Sequence, residues 1–205
     1  MADDGTQYPV EDIGNVYILN DRIYDHKTLR LNYSTYDMRR DYDIVGISKH
    51  SNVMTVSKTF DPTSHSSEDG HPFAYARILG IYHADIIHTI PGSRNSTAHS
   101  MEFLFVQWYR LDHQYKAGFQ HRRFHRITLV SPDTDDAYGF LDPDDVIRGS
   151  HLIPAFAHGK VEPRTPMTSL SNTPATMDDQ WLFYYVNWYV PRVLSSYPTN
   201  FRQLC

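Results

Sequence analysis

No stretch of ten or more residues in this chain spaces its apolar side chains at the 3.6-residue period of an amphipathic helix. That excludes helical bundles and doubly wound α/β folds, both of which need such stripes. The sequence offers short runs of strand character instead. In Thr28–Met38, Leu29, Leu31 and Tyr33 alternate with Arg30, Asn32 and Ser34, the period of two that lays one face on a core. Met101–Leu111 (MEFLFVQWYRL) puts Phe103 and Phe105 on one face and Leu104, Val106 and Trp108 on the other, as a central strand covered on both sides or a barrel strand does. Val16–Leu19, Asn52–Ser57, Phe73–His88, His125–Val130, Ser150–Phe156 and Trp181–Val190 are the other strand candidates. Gly80, near the middle of Phe73–His88, marks a bulge or a barrel corner.

Between these runs lie polar stretches. Lys58–Pro72, Ile90–Ser100 and Lys160–Gln180 read as loops, rich in residues that favour turns and coil. Asp142–Arg148 reads as one helical turn, with Asp142 as its cap and Pro143 at the first helical position. Seven or so short strands, long loops and a single turn of helix predict a small mainly-β barrel or sandwich. The expected organisation is a loosely ordered leader over 1–23, one β-domain over 24–190, and a tail over 191–205. Its expected core comprises Leu29, Leu31, Ile78, Ile81, Phe103, Leu104, Val106, Trp108, Ile127, Leu129, Phe140, Val146, Leu152, Ile153, Phe183 and Val186.

Composition narrows the chemistry. Aromatics make up 14% of the 205 residues, with 15 Tyr, which suits half-buried pleated surfaces. A formal net charge of -5 gives no overall field toward nucleic acid, so any such contact needs a local patch. The single cysteine, Cys205, precludes a disulfide within the chain and a cysteine-based zinc site. With no apolar run of about 18 residues and no secretory pattern at the start, an intracellular chain without a membrane partner is expected.

No constellation amounts to an active site, and no cofactor is implied. His121 and His125 have the i, i+4 spacing of a helical metal pair, but strand follows them and no third ligand is evident. The acids from Asp133 to Asp145 lack the closing Glu of a calcium loop. Neither a G-x-S-x-G motif nor a glycine-rich phosphate loop occurs. Two weaker patterns remain. Lys116, Arg122, Arg123 and Arg126 form the densest basic stretch, with Phe119 and Phe124 interleaved, which could neutralise phosphates and stack on bases. A solvated hairpin end is the plainer explanation. Tyr75, Tyr82, Trp108, Tyr109, Tyr184 and Trp188 could in part line a cage for a methylated lysine, although cross-strand packing accounts for them as well.

Four segments carry a family resemblance. They are Tyr75–His83 (YARILGIYH), Met101–Tyr109 (MEFLFVQWY), Tyr138–Phe156 (YGFLDPDDVIRGSHLIPAF) and Phe183–Asn187 (FYYVN). Together they resemble hypothetical proteins of mushroom-forming fungi associated with transposon-derived reading frames, over roughly residues 24–190. The order of elements is also similar to the C-terminal β-domain of plant CACTA-type transposases and to the bromo-adjacent homology domain, an elaborated SH3-like barrel. The resemblance implies a small barrel of that type and a non-catalytic interaction or scaffold module of transposon-derived origin. A nuclear or chromatin partner would follow, with a protein partner favoured over nucleic acid. The alternatives are a structural appendage of a transposase, which a large exposed apolar patch would indicate, and an enzyme, which a deep pocket of convergent polar groups would indicate.

Overall fold

A computed structural model describes residues 15–34, 39–48, 50–57, 71–89, 97–161, 180–187 and, for the backbone, 202–204. These residues form strands β1 (Val16–Ile18), β2 (Tyr24–Asp25), β3 (Thr28–Ser34), β4 (Arg40–Gly46), β5 (Asn52–Val56), β6 (Phe73–His88), β7 (Ala98–Leu111), β8 (Arg126–Leu129), β9 (Tyr138–Leu141), β10 (Val146–Gly149), β11 (Leu152–Pro154), β12 (Tyr184–Val186) and β13 (Arg202–Leu204). Ten of them make one sheet in the order β10-β5-β6-β7-β8-β12-β11, with β1 and β2 added to β6 and β9 added to β7. This sheet curls into a half barrel. The order of the second sheet is β13-β3-β4. The protein is thus mainly β and barrel-like, the class its sequence predicts.

The long hairpin β6–β7 is the frame on which the shorter strands assemble. Along one edge, β6 meets β5 through Phe73–Arg77 and then β2 and β1 through Tyr82–His88. Along the far edge, β7 meets β9 at Leu104–Gln107 and β8 at Tyr109–Leu111. The register of β6 against β7 shifts between Ile78 and Gly80, a bulge at the predicted glycine. Its effect is on parity. Ala76 and Ile78 face the aliphatic core before the shift, and Ile81 faces it after, opposite Trp108, Val106 and Leu104 in turn. Without the extra residue, Ile81 would fall on the other face.

That aliphatic core joins Ile78, Ile81, Leu104 and Val106 to Leu29, Leu31 and Val45 of the smaller sheet and to Val53, Leu141 and Val146. A second core gathers Tyr75, Tyr109, Ile127, Leu129, Tyr184 and Val186 on the opposite face of β6 and β7. A polar clamp also ties the sheets together. Buried Arg148 on β10 donates from Nε to Asp43 Oδ2 at 3.1 Å and from Nη2 to the Tyr33 hydroxyl at 2.8 Å. Its guanidinium lies 3.9 Å from the centre of the Tyr33 ring. The Gly149 N–H donates to the same Asp43 oxygen at 3.1 Å.

The structure corrects several expectations. Phe140, expected in the core, is 71% exposed, because its neighbour Leu141 takes the inward position. Phe103, Trp108, Leu152, Ile153 and Phe183 are half-buried rather than enclosed. β4 has no counterpart among the strand candidates, because Arg40, Asp41 and Asp43 interrupt its apolar face and only Val45 and Gly46 are buried. The predicted turn at Asp142 is one turn of 3-10 helix, Pro143–Asp145, whose cap Asp142 accepts from the Asp144 N–H at 2.8 Å. The chain then becomes strand at Val146 instead of continuing as helix to Arg148. Val16–Ile18 pairs with Ile86–His88, as the strand candidate Val16–Leu19 predicts. Within the predicted tail, Arg202–Leu204 pairs with Leu29–Leu31. Most of the loop stretches predicted at 58–72, 90–100 and 160–180 lies outside the described residues.

Candidate interaction surface

The connection between β7 and β8 ends in a small closed turn. Gly118 and Arg123 form an antiparallel bridge, the Gly118 N–H donating to the Arg123 carbonyl at 2.9 Å. A 3-10 turn, Phe119–His121, fills the bridge, with the His121 N–H donating to Gly118 O at 3.1 Å. The turn closes only because Gly118 takes φ 96° and Arg122 takes the left-handed conformation at φ 51°. Glycine reaches the first without strain, and arginine bears a modest cost at the second. The result is a hydrogen-bonded tip that holds Phe119 87% exposed. Beside it is a cavity of about 330 Å³ lined by Gly118, Phe119, Arg122, Arg123, Phe124 and His125.

Of the four basic residues singled out in sequence, Lys116, Arg122 and Arg123 are exposed on this connection. Arg126 is not part of their surface. Its Nε donates to Asp112 Oδ2 at 2.8 Å and its Nη2 lies 2.6 Å from the same oxygen, with both side chains at least 85% enclosed. The guanidinium is sandwiched between Tyr115 at 4.3 Å and Phe183 at 4.5 Å. Its charge is paired inside the protein, and Arg123 also lies 5.8 Å from the centre of the Tyr115 ring. The spacing alone could not reveal the Arg126 pairing, because Asp112 and Arg126 meet only where β7 and β8 pair.

The aromatic residues considered for a cage divide into separate places. Tyr75, Tyr109 and Tyr184 do come together, with Tyr109 and Tyr184 edge to face at 5.9 Å. Tyr109 and Tyr184 hold a cation that the sequence pattern did not mark. The Arg77 guanidinium lies 5.8 Å from the centre of the Tyr109 ring and interacts with the hydroxyls of Tyr109 and Tyr184. Burial works against the charge of Arg77, but those hydroxyls outweigh it and hold its pKa above the usual value. The three tyrosines are buried, and Tyr109 and Tyr184 serve an internal arginine, so these three form no open cage. Trp108 packs against the aliphatic core on the opposite face. Trp188 lies outside the described residues.

Around this centre the titrating groups are shifted by burial. The Tyr109 hydroxyl donates to Asn52 Oδ1 at 2.9 Å, and desolvation pushes its pKa up to about 12. Desolvation raises Tyr75 as well. The Tyr75 hydroxyl lies 2.8 Å from His71 Nε2. Burial first, and the adjacent His125 ring at 4.2 Å second, bring His71 down to about 4. His125 is lowered by burial.

Tyr82, the remaining cage candidate, belongs to a different surface. Where β8 and β12 no longer cover it, the second face of the long hairpin is open, and aromatic rings occupy it in a chain. Tyr82 meets Phe103 at 5.6 Å, Phe103 meets Phe140 at 5.8 Å, Phe140 meets Phe105 at 5.6 Å, and Phe105 stacks on Tyr138 at 5.8 Å. The Tyr82 ring folds over Gly80, where a Cβ would collide with it. Exposed acids border the strip. Asp25 is the cross-strand partner of Tyr82, and Asp142 follows Phe140 by two extended residues on the same face. The alternation of Phe103 and Phe105 marks this face in the sequence, whereas the exposure of Phe140 follows from the register of β9 against β7.

Among the described residues, no three His, Cys, Asp or Glu side chains gather closely enough to hold a metal ion. No helix among them is long and apolar enough to cross a membrane. Comparison with protein-family models, with curated proteins and with solved structures gave no match.

Proposed function

We propose that the chain is a non-catalytic interaction module that engages a protein partner through the tip of the β7–β8 connection. The observation that carries this is Phe119, held 87% exposed on a hydrogen-bonded turn. A large aromatic side chain presented to water on an ordered turn beside a cavity is an anchor for a partner's surface. Lys116, Arg122 and Arg123 around it favour a partner carrying carboxylates next to apolar groups. The internal pairing of Arg126 with Asp112 lowers the number of phosphates the tip could neutralise, which weighs against nucleic acid. Among the described residues, the cavity lining is apolar and basic, Phe119 and Phe124 beside Arg122, Arg123 and His125, which suits binding of an acidic, partly apolar surface. The proposal includes the origin the resemblance implies, a transposon-derived module of bromo-adjacent homology type within a nuclear protein.

The test is an NMR titration of isotope-labelled protein with a glutamate-rich peptide carrying one tryptophan, and separately with a short DNA duplex. Peptide-induced shifts confined to residues 113–125, lost in Phe119→Ala with Arg122→Glu, are the expected result. Shifts produced by the duplex alone would replace the protein partner with nucleic acid.

A further inference from the structure

We infer that the surface received by this tip is the open aromatic strip of a second copy of the chain, so that the protein associates head to tail. The inference rests on the reading of the tip as a protein-binding surface, and it adds the identity of the partner. Two observations carry it. The first is that the molecule displays both halves of a complementary contact. The tip offers a protruding aromatic ring with Lys116, Arg122 and Arg123 around it. The strip offers Phe105 in ring contact with both Phe140 and Tyr138, bordered by Asp25 and Asp142. Ring faces attract both another aromatic edge and a guanidinium, and the carboxylates at the border fix the sign of the charge they accept.

The second observation is their placement. The strip centres on Phe103 and Phe105, whereas the tip lies beyond Leu111, at the far end of the same strand. At roughly 3.4 Å per residue, Phe105 and Leu111 are about 20 Å apart along β7, so the tip does not fold back onto its own strip. Two different surfaces, one midway along β7 and one beyond its C-terminal end, make a heterologous contact. Such a contact repeats from copy to copy unless the rotation closes a ring. A turn of this size covers less than a standard interface, so association is weak, with dissociation in the range of roughly ten micromolar or above.

The test is sedimentation of the full chain over a concentration series, at low and high salt. Wild-type protein should show a weight-average mass that rises with concentration without levelling at a dimer, and the rise should shrink in high salt. The tip variant Phe119→Ala with Arg122→Glu, and the strip variant Phe140→Lys, should each stay monomeric alone. Mixed together they should form a one-to-one dimer and nothing larger, because each retains the half the other lacks. All substituted positions are exposed, and unchanged thermal unfolding of each variant will confirm that the fold is retained. A wild type that is monomeric at every concentration overturns the inference, as does association that either variant leaves intact or a mixture that fails to pair. Should the wild type stay monomeric while the acidic peptide still shifts residues 113–125, the tip remains a binding surface and only its partner is refuted.

Discussion

Arg77 occupies the place among Tyr109 and Tyr184 that an external cation would take in an open cage. Replacing it with methionine keeps the apolar stem but removes a partner from two buried hydroxyls. Arg77→Met should therefore cost about 1–3 kcal/mol, measured by urea unfolding. A gain in stability would show that the charge is a burden rather than a support. His71 gives a pH dependence of known sign. Its pKa is about 4 in the folded protein against an ordinary 6.5, so below pH 6.5 the unfolded chain binds a proton that the folded one refuses. Stability should fall as pH drops from about 6.5 to about 4 and flatten below that, by at most about 3 kcal/mol from this group. Unfolding midpoints of wild type and His71→Gln, compared at about pH 7 and about pH 5, isolate the contribution. An equal acid loss in both proteins would assign it elsewhere. The side chains whose environment the sequence misstated are those whose neighbours come from distant strands. Arg126 reads as a free surface charge until Asp112 is set beside it, and Phe140 reads as core until the alternation of β9 is fixed by Leu141.

At the scale of elements, the hairpin β6–β7 was legible because its signals are local. Two long runs of strand formers and one glycine specify two strands and one bulge, and the bulge falls where Gly80 stands. β4 was not legible, since a strand with only two buried residues has too little apolar pattern to announce itself. Gly139 in β9 is a close-approach site, where an added Cβ would lie 2.7 Å from Trp108 Nε1. Gly139→Ala should cost about 1–3 kcal/mol by displacing the indole, with a shift in tryptophan emission as the direct sign. Unchanged emission and stability would mean that β9 moves aside freely. Gly80→Ala differs, because the colliding group is the outer end of the Tyr82 ring. The ring can swing away, so the variant should lose self-association more than stability.

For the whole molecule, the contact between the two sheets combines apolar packing with the Arg148–Asp43 ionic clamp. Asp43→Ala strands Arg148 without its carboxylate and should cost about 2–4 kcal/mol, discounted from a fully buried pair because the Asp43 side chain is 23% exposed. Adding Arg148→Met should recover part of that loss, and a double-mutant cycle in urea measures the coupling. A double variant no more stable than Asp43→Ala would leave the joint to Leu29, Leu31 and Val45 alone. The aromatic strip has the opposite relation to the fold. Phe140→Ala should change stability by less than about 0.5 kcal/mol, whereas Leu104→Ala, one strand away and fully enclosed, should cost about 2–5 kcal/mol. Mutations can therefore accumulate at Phe140 without endangering folding. Over generations, a descendant of this chain is free to exchange one binding preference for another while the cores beneath stay under strict selection.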